Sequence, residues 1–207
     1  MTSSMEFPGF ERLYYLSEPF ATRAFRGALR GAAAHLDPYA LARGELRIDA
    51  PLLVHRYGGS EFLDFIWTDC IPVALISGRA EEILRSEGIT GWSTYPVELD
   101  VGGAPVRPQY AGLSVTGRAG EIEYQRSEVV LTEFPGGTVP VYRGWYFDSA
   151  TWDGSDLFCL GSRALRVATE RFRRLVRTHR LRNVRLRALP ELETPAASVD
   201  IDRNATR

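Results

Sequence analysis

Lysine is missing altogether: all 25 basic residues among the 207 are arginine. So complete a bias reflects genome composition more than selection for guanidinium chemistry, so arginine number alone carries no argument. Cysteine is scarce too, with only Cys70 and Cys159. Two thiols give no disulfide framework and read as free, buried side chains. His35, His55 and His179 stand far apart, and neither they nor the cysteines show CxxC or HExxH spacing. No metal and no cofactor is expected, and His179 reads as a structural histidine beside a helix's apolar stripe. There is no GxSxG elbow, no GK[ST] phosphate loop and no GxGxxG fingerprint. Gly58-Gly59, Gly102-Gly103 and Gly136-Gly137 therefore read as turns. No apolar run approaches the roughly 18 residues of a membrane helix. The first residues, MTSSMEFPGFERLYYL, lack the basic-then-apolar order of a secretory signal. The expectation is a cytoplasmic protein with no membrane association.

What is present suits a globular fold. Hydrophobic content of 44% and charged content of 25% match ordinary usage, and a chain of this length buries a substantial core. Short extended runs, two clear helices at most and long glycine-proline joints point to an α+β fold of mixed or antiparallel sheets with few helices. Residues 1–195 are expected to form one compact domain, either undivided or as two packed lobes, 1–100 and 109–195, with 196–207 as a flexible tail. A first strand is expected at 10–16. The alanine-rich stretch 21–36 reads as a helix with Phe25 and Leu29 on one face, or as an ordered loop with one helical turn. Gly27 and Gly31 weaken the helix, each costing about 1 kcal/mol against alanine. Short strands are expected at 46–48 and 52–55.

One pattern occurs twice, 92 residues apart. Asp64-Phe65-Ile66 falls on Asp156-Leu157-Phe158, Leu75 on Val167, Ser77 on Thr169, Ile83-Leu84 on Leu175-Val176, and Ile89 to Trp92 on Leu181 to Val184, without a gap. Each copy reads as an acidic-aromatic segment, a strand, a capped helix and a returning strand. Ser77 and Thr169 are the expected N-caps and Gly88 the left-handed residue closing the first helix. Asp64 and Asp156 read as structural carboxylates that cap a turn or receive backbone amides.

Three groups of side chains are candidates for chemistry or recognition. Asp148, Asp153 and Asp156, with Glu133 upstream, carry the reading of a small hydrolase-like enzyme with an acidic cleft. Acid–base work, however, needs two carboxylates in different environments across a cleft, and Asp153 also fits a turn. Ten arginines lie between Arg163 and Arg187, offset by Glu170 alone. That face reads as a solvated surface, as a surface for an acidic protein partner, or as an RNA-binding face. A slightly acidic chain of net charge −1 without a nucleic-acid module argues against the last. Aromatics and arginines near the turns, Trp145, Tyr146, Trp152, Arg171, Arg173, Arg174 and Arg177, are the residue types of protein interfaces. These seven are the expected partner-binding residues. The loops at Gly102-Gly103 and Gly136-Gly137 come next, because loops vary without disturbing a core.

The segment Trp152-Asp153-Gly154-Ser155-Asp156-Leu157-Phe158, followed by Val167-Ala168-Thr169-Glu170-Arg171-Phe172 and the ending Leu181 to Leu186, resembles the immunity proteins of bacterial polymorphic toxin systems. The likeness lies mainly in residues 145–187, with a fainter echo at 77–92. It implies a cytoplasmic, non-enzymatic protein that binds and neutralises a cognate protein toxin, and it transfers no catalytic residue.

Overall fold

The computed structural model describes residues 7–19, 23–102 and 109–199. In chain order their strands and helices are β1 (Leu13–Ser17), β2 (Arg26–Leu29), α1 (Pro38–Ala42), β3 (Leu52–Gly58), β4 (Phe65–Thr68), β5 (Ala74–Ser77), α2 (Gly78–Ser86) and β6 (Trp92–Asp100). There follow β7 (Tyr110–Val115), β8 (Gly117–Ala119), β9 (Glu128–Phe134), β10 (Gly137–Arg143), β11 (Leu157–Leu160), β12 (Leu165–Thr169), α3 (Glu170–Thr178), β13 (Arg185–Ala188) and β14 (Glu193–Pro195). This is an α+β fold with few helices. Six strands close into a barrel in the order β2-β3-β6-β7-β5-β4; five form an open sheet, β13-β1-β12-β11-β8; and three form a small sheet, β14-β10-β9.

The open sheet repeats the barrel strand for strand. β2 lies parallel to β4 with Arg26 opposite Trp67, and β8 lies parallel to β11 with Arg118 opposite Cys159, both residues shifted by 92. β4 pairs antiparallel with β5 as β11 does with β12. The next strand departs from the tandem order. β7 covers β5 with Tyr110 opposite Ser77, whereas β12 is covered by β1, with Leu13 opposite Thr169. β7 and β1 then receive β6 and β13 in matching register, Leu113 opposite Thr94 and Leu16 opposite Leu186. Of the barrel strands, β3, which bridges β2 and β6 to close the barrel, has no counterpart among the described residues.

Burial follows the two-residue period of strands. Ile66 and Leu75 point into the barrel with Phe25, Leu29 and Val54. Phe65, Trp67 and Ile76 point out of it, into a core shared with Leu157, Cys159, Ala168, Phe172 and Leu175 of the second unit. Phe158, Val167 and Leu13 face a third core with Phe147, Leu189 and Leu192. β4, β5 and β11 are therefore buried on both faces, which is why they read as unbroken apolar runs rather than alternating ones.

Several expectations are corrected. Within the stretch 21–36 the described residues, 23–36, do not form the expected helix: β2 occupies 26–29 and a 3-10 turn 31–35. Gly27 is needed there for contact, since a Cβ on it would lie 2.5 Å from Val54 Cγ1. Residues 10–12 form a 3-10 turn before β1, and 46–48 are not a strand. The sheets do not divide at 100–109. β1 belongs with the second unit and β7 with the first, so lobes 1–100 and 109–195 each cut through a sheet. Of the expected tail, 196–198 form a 3-10 turn, and residues 200–207 lie outside the described residues.

Candidate functional site

The two units hold each other through reciprocal carboxylates. Asp64 Oδ2 accepts the Arg182 amide (2.8 Å), while Asp156 Oδ2 accepts the Thr90 amide (3.1 Å), and 182 and 90 are equivalent positions. Each carboxylate also accepts from the hydroxyl that ends the second strand of its own unit, Ser77 of β5 at 3.2 Å and Thr169 of β12 at 3.0 Å, and from a guanidinium, Arg79 at 2.8 Å and Arg171 at 2.9 Å. Arg79 then donates to the carbonyl of His179 (2.6 Å), and Arg171 to those of Gly88 and Glu87. Glu87 and His179 occupy the same place in the two units and meet each other, Oε1 to Nε2, at 3.1 Å. This contact marks a pseudo-twofold axis.

The caps differ between copies. Ser77 Oγ accepts from the Ala80 amide at the start of α2. Thr169 stands at the equivalent position of α3 but makes no capping bond; its hydroxyl is committed to Asp156. Gly88, with φ +62°, follows the C-cap of α2, and its counterpart Arg180 takes the same left-handed turn at φ +51°.

The seven residues read as partner-binding separate into three groups. Trp145 is buried and donates from Nε1 to Thr194 Oγ1 at 2.9 Å. Trp152 packs on Phe7 and Phe158, and Tyr146 on Phe10. Trp145 belongs to the third core, Trp152 is half-buried against it, and Tyr146 is half-buried beside it. Arg171 is tied to Asp156, and Arg173 bridges to Glu170 at 3.1 Å while lying over the Tyr14 ring at 4.8 Å. Arg174 and Arg177 are exposed with no acidic partner within 4.0 Å among the described residues, and Arg180 and Arg185 are like them. The free positive surface is thus narrower than the sequence run.

The acidic cluster is occupied by backbone. Asp148 accepts the Ala150 amide, Asp153 those of Arg118 and Ser155, and Asp156 that of Thr90. Burial pushes the Cys159 thiol up to about 11, outweighing the nearby arginines, and raises Cys70 as well. Neither is poised as a thiolate at neutral pH. Among the described residues no group of three or more potential metal ligands comes together, and no helix is long and apolar enough to cross a membrane.

A surface outside the seven expected residues is the hairpin β9–β10, whose turn at Pro135-Gly136-Gly137 contains one of the two loops expected to come next but whose apolar strands were not expected to be exposed. Leu131 is 73% exposed, Val129 60%, Phe134 46% and Val139 38%. Leu131 lies opposite Pro140, and Val129 opposite Tyr142. β9 ends its sheet, so its outer edge has no paired strand among the described residues. The signal in the sequence was Val129-Val130-Leu131 with Phe134: an apolar strand with charged residues on either side but no second apolar element to cover it. The chain matches no protein-family model and no curated protein sequence.

Proposed function

We propose that this protein acts by stoichiometric binding to another protein, and that the partner is a cognate bacterial toxin which it neutralises. The observation carrying a protein partner is the β9–β10 hairpin, with exposed Val129 and Leu131 beside an open strand edge. Single exposed apolar residues are normal. A run of them along an unpaired edge suits strand addition, where main-chain hydrogen bonds give affinity and alternate side chains give specificity. A nucleic acid would gain little from Leu131. Exposed Arg174, Arg177 and Arg180 would orient an acidic partner surface and speed its approach. The acidic-cleft alternative is weakened because Asp148, Asp153 and Asp156 are engaged with backbone amides.

The toxin as partner is supported by the resemblance at 145–187. Trp152, Asp153, Asp156, Phe158 and Phe172 all serve the scaffold, so that support is analogy of fold rather than of a site. The test co-expresses the protein with the toxin domain encoded beside it and reads growth rescue and co-purification. Rescue with a one-to-one complex is expected. Val129→Glu with Leu131→Glu should abolish capture while shifting stability by no more than about 0.5 kcal/mol, as exposed changes do. Reversing Arg174, Arg177 and Arg180 to glutamate should slow association, most strongly at low salt. Capture unaffected by the hairpin variant would remove the hairpin from the interface. Turnover of a small substrate with no protein retained would overturn the reading altogether.

A further inference from the structure

The turn of the β9–β10 hairpin fixes which backbone groups its free edge presents. Pro135 and Gly136 form a two-residue turn, and Phe134 and Gly137 on either side of it are strand partners. A pair that flanks a two-residue turn exchanges both its backbone hydrogen bonds, and the exchange recurs at every second pair. Thr132 with Val139, Val130 with Val141 and Glu128 with Arg143 belong to that set. Pro140, which has no N–H to give, falls in the alternate set, opposite Leu131. Val129, Leu131 and Glu133 therefore turn their N–H and C=O groups away from β10, to the side where no strand lies among the described residues. Their side chains stand on one face of the sheet, and all three are exposed.

The edge carries charge of one sign. Glu128 and Glu133 lie on either side of Val129 and Leu131; both are exposed, and neither has a basic partner within 4.0 Å among the described residues. Arg143, across the hairpin from Glu128, is committed to Glu193 at 2.8 Å. β9 itself contains no base. A second copy pairing through this edge would bring two glutamates from each strand to one seam with no compensating base. What complements the edge is a strand with basic residues towards its ends and an apolar middle. The small sheet is antiparallel throughout, and an antiparallel addition continues it with the slightly more stable of the two pairings.

We propose that β9 takes an extended segment of the partner in antiparallel register, with arginine or lysine opposite Glu133 and Glu128 and aliphatic residues opposite Leu131 and Val129. This rests on the proposed protein-binding role of the hairpin and adds the chemistry of what binds there. The main chain of the segment bonds to Val129, Leu131 and Glu133, and its side chains supply the specificity. The test titrates the isotope-labelled full chain with the end-capped peptide Thr-Arg-Thr-Leu-Thr-Val-Arg and reads backbone amide shifts by NMR. The amides of Val129, Leu131 and Glu133 should shift saturably. Glutamate in place of both peptide arginines should weaken binding about tenfold or more, because two cross-strand pairs pass from opposite to like charge. N-methylation of the peptide leucine, whose amide faces β9, should abolish binding; N-methylation of the threonine after it, whose amide faces away, should not. Glu133→Arg should erase the preference for the basic peptide, and Glu128→Arg added to it should reverse that preference. Should either variant not fold, the peptide series on the native chain carries the test. Equal binding of the basic and acidic peptides, binding of neither, or indifference to the leucine N-methyl group would each overturn the proposal. Loss of toxin capture in the Val129→Glu, Leu131→Glu variant would then still uphold the hairpin as the interface, so the two failures are told apart. Shifts of the same amides with protein concentration alone would assign the edge to a second copy and overturn the proposal as well.

Discussion

Glu170 concentrates several forces in one carboxylate. It sits in the first turn of α3, where the helix dipole favours an acid, accepts from Tyr14 Oη at 2.6 Å and contacts Arg173 at 3.1 Å. Burial alone would raise its pKa, but the hydrogen bonds from Tyr14 and Arg173, with the charges of Arg173 and Arg174, hold it below its ordinary 4.5. Burial first, and then Glu170, push the Tyr14 phenol above 10.0. The signs differ. The Glu170 contribution is complete above pH 4.5 and is lost as pH falls through the depressed value. The Tyr14 contribution is complete below pH 10.0 and is lost as pH rises through the raised value. Glu170→Gln should therefore cost about 0.5–1 kcal/mol at pH 7, a partly exposed pair being discounted for screening. The deficit should vanish in urea titrations below the depressed value; a deficit constant with pH would show that packing, not charge, is lost. None of this was legible in the sequence, because Tyr14 and Glu170 are 156 residues apart and only the strand pairing joins them.

The helix-capping elements show what the repeat made legible. Shifting the sequence by 92 aligned α2 with α3 without a gap, because periodic apolar positions and turn residues are local properties. The same shift missed that Thr169 turns away from its helix to Asp156, a choice made by the partner unit. It also gave no hint of β1 in the place of β7, since strand pairing is non-local. Gly88 and Arg180 provide a reciprocal test. Both occupy the left-handed position, φ +62° and +51°, where a non-glycine residue costs roughly 1–2 kcal/mol. Arg180→Gly should stabilise by about 1 kcal/mol through relief of that cost, and Gly88→Ala should destabilise by a similar amount. Chemical denaturation of the two variants reads both signs; equal signs would show that side-chain contacts, not backbone conformation, set these positions.

The two units are interlocked by their contacts. Asp64 is completed by Arg182, Asp156 by Thr90, and the second sheet by a strand from before the first. Asp156→Ala would leave the Thr90 amide and the Thr169 hydroxyl without their acceptor and take one of several acceptors from the half-exposed Arg171. It should cost about 1–3 kcal/mol, typical of leaving buried donors unsatisfied, and should shift tryptophan fluorescence and far-ultraviolet circular dichroism transitions together. Two separated transitions would show units that unfold alone. The swapped strand also sets an order of events during synthesis. The barrel strands β2 to β7 emerge in one contiguous stretch and can pair as soon as β7 clears the ribosome. β1 clears it well before them, yet Leu13 must wait for Thr169. At roughly 5–20 residues per second this is on the order of 10–30 s. Throughout that interval an apolar strand, Leu13-Tyr14-Tyr15-Leu16, has neither of its strand partners. Its open edges are what a chaperone would have to cover.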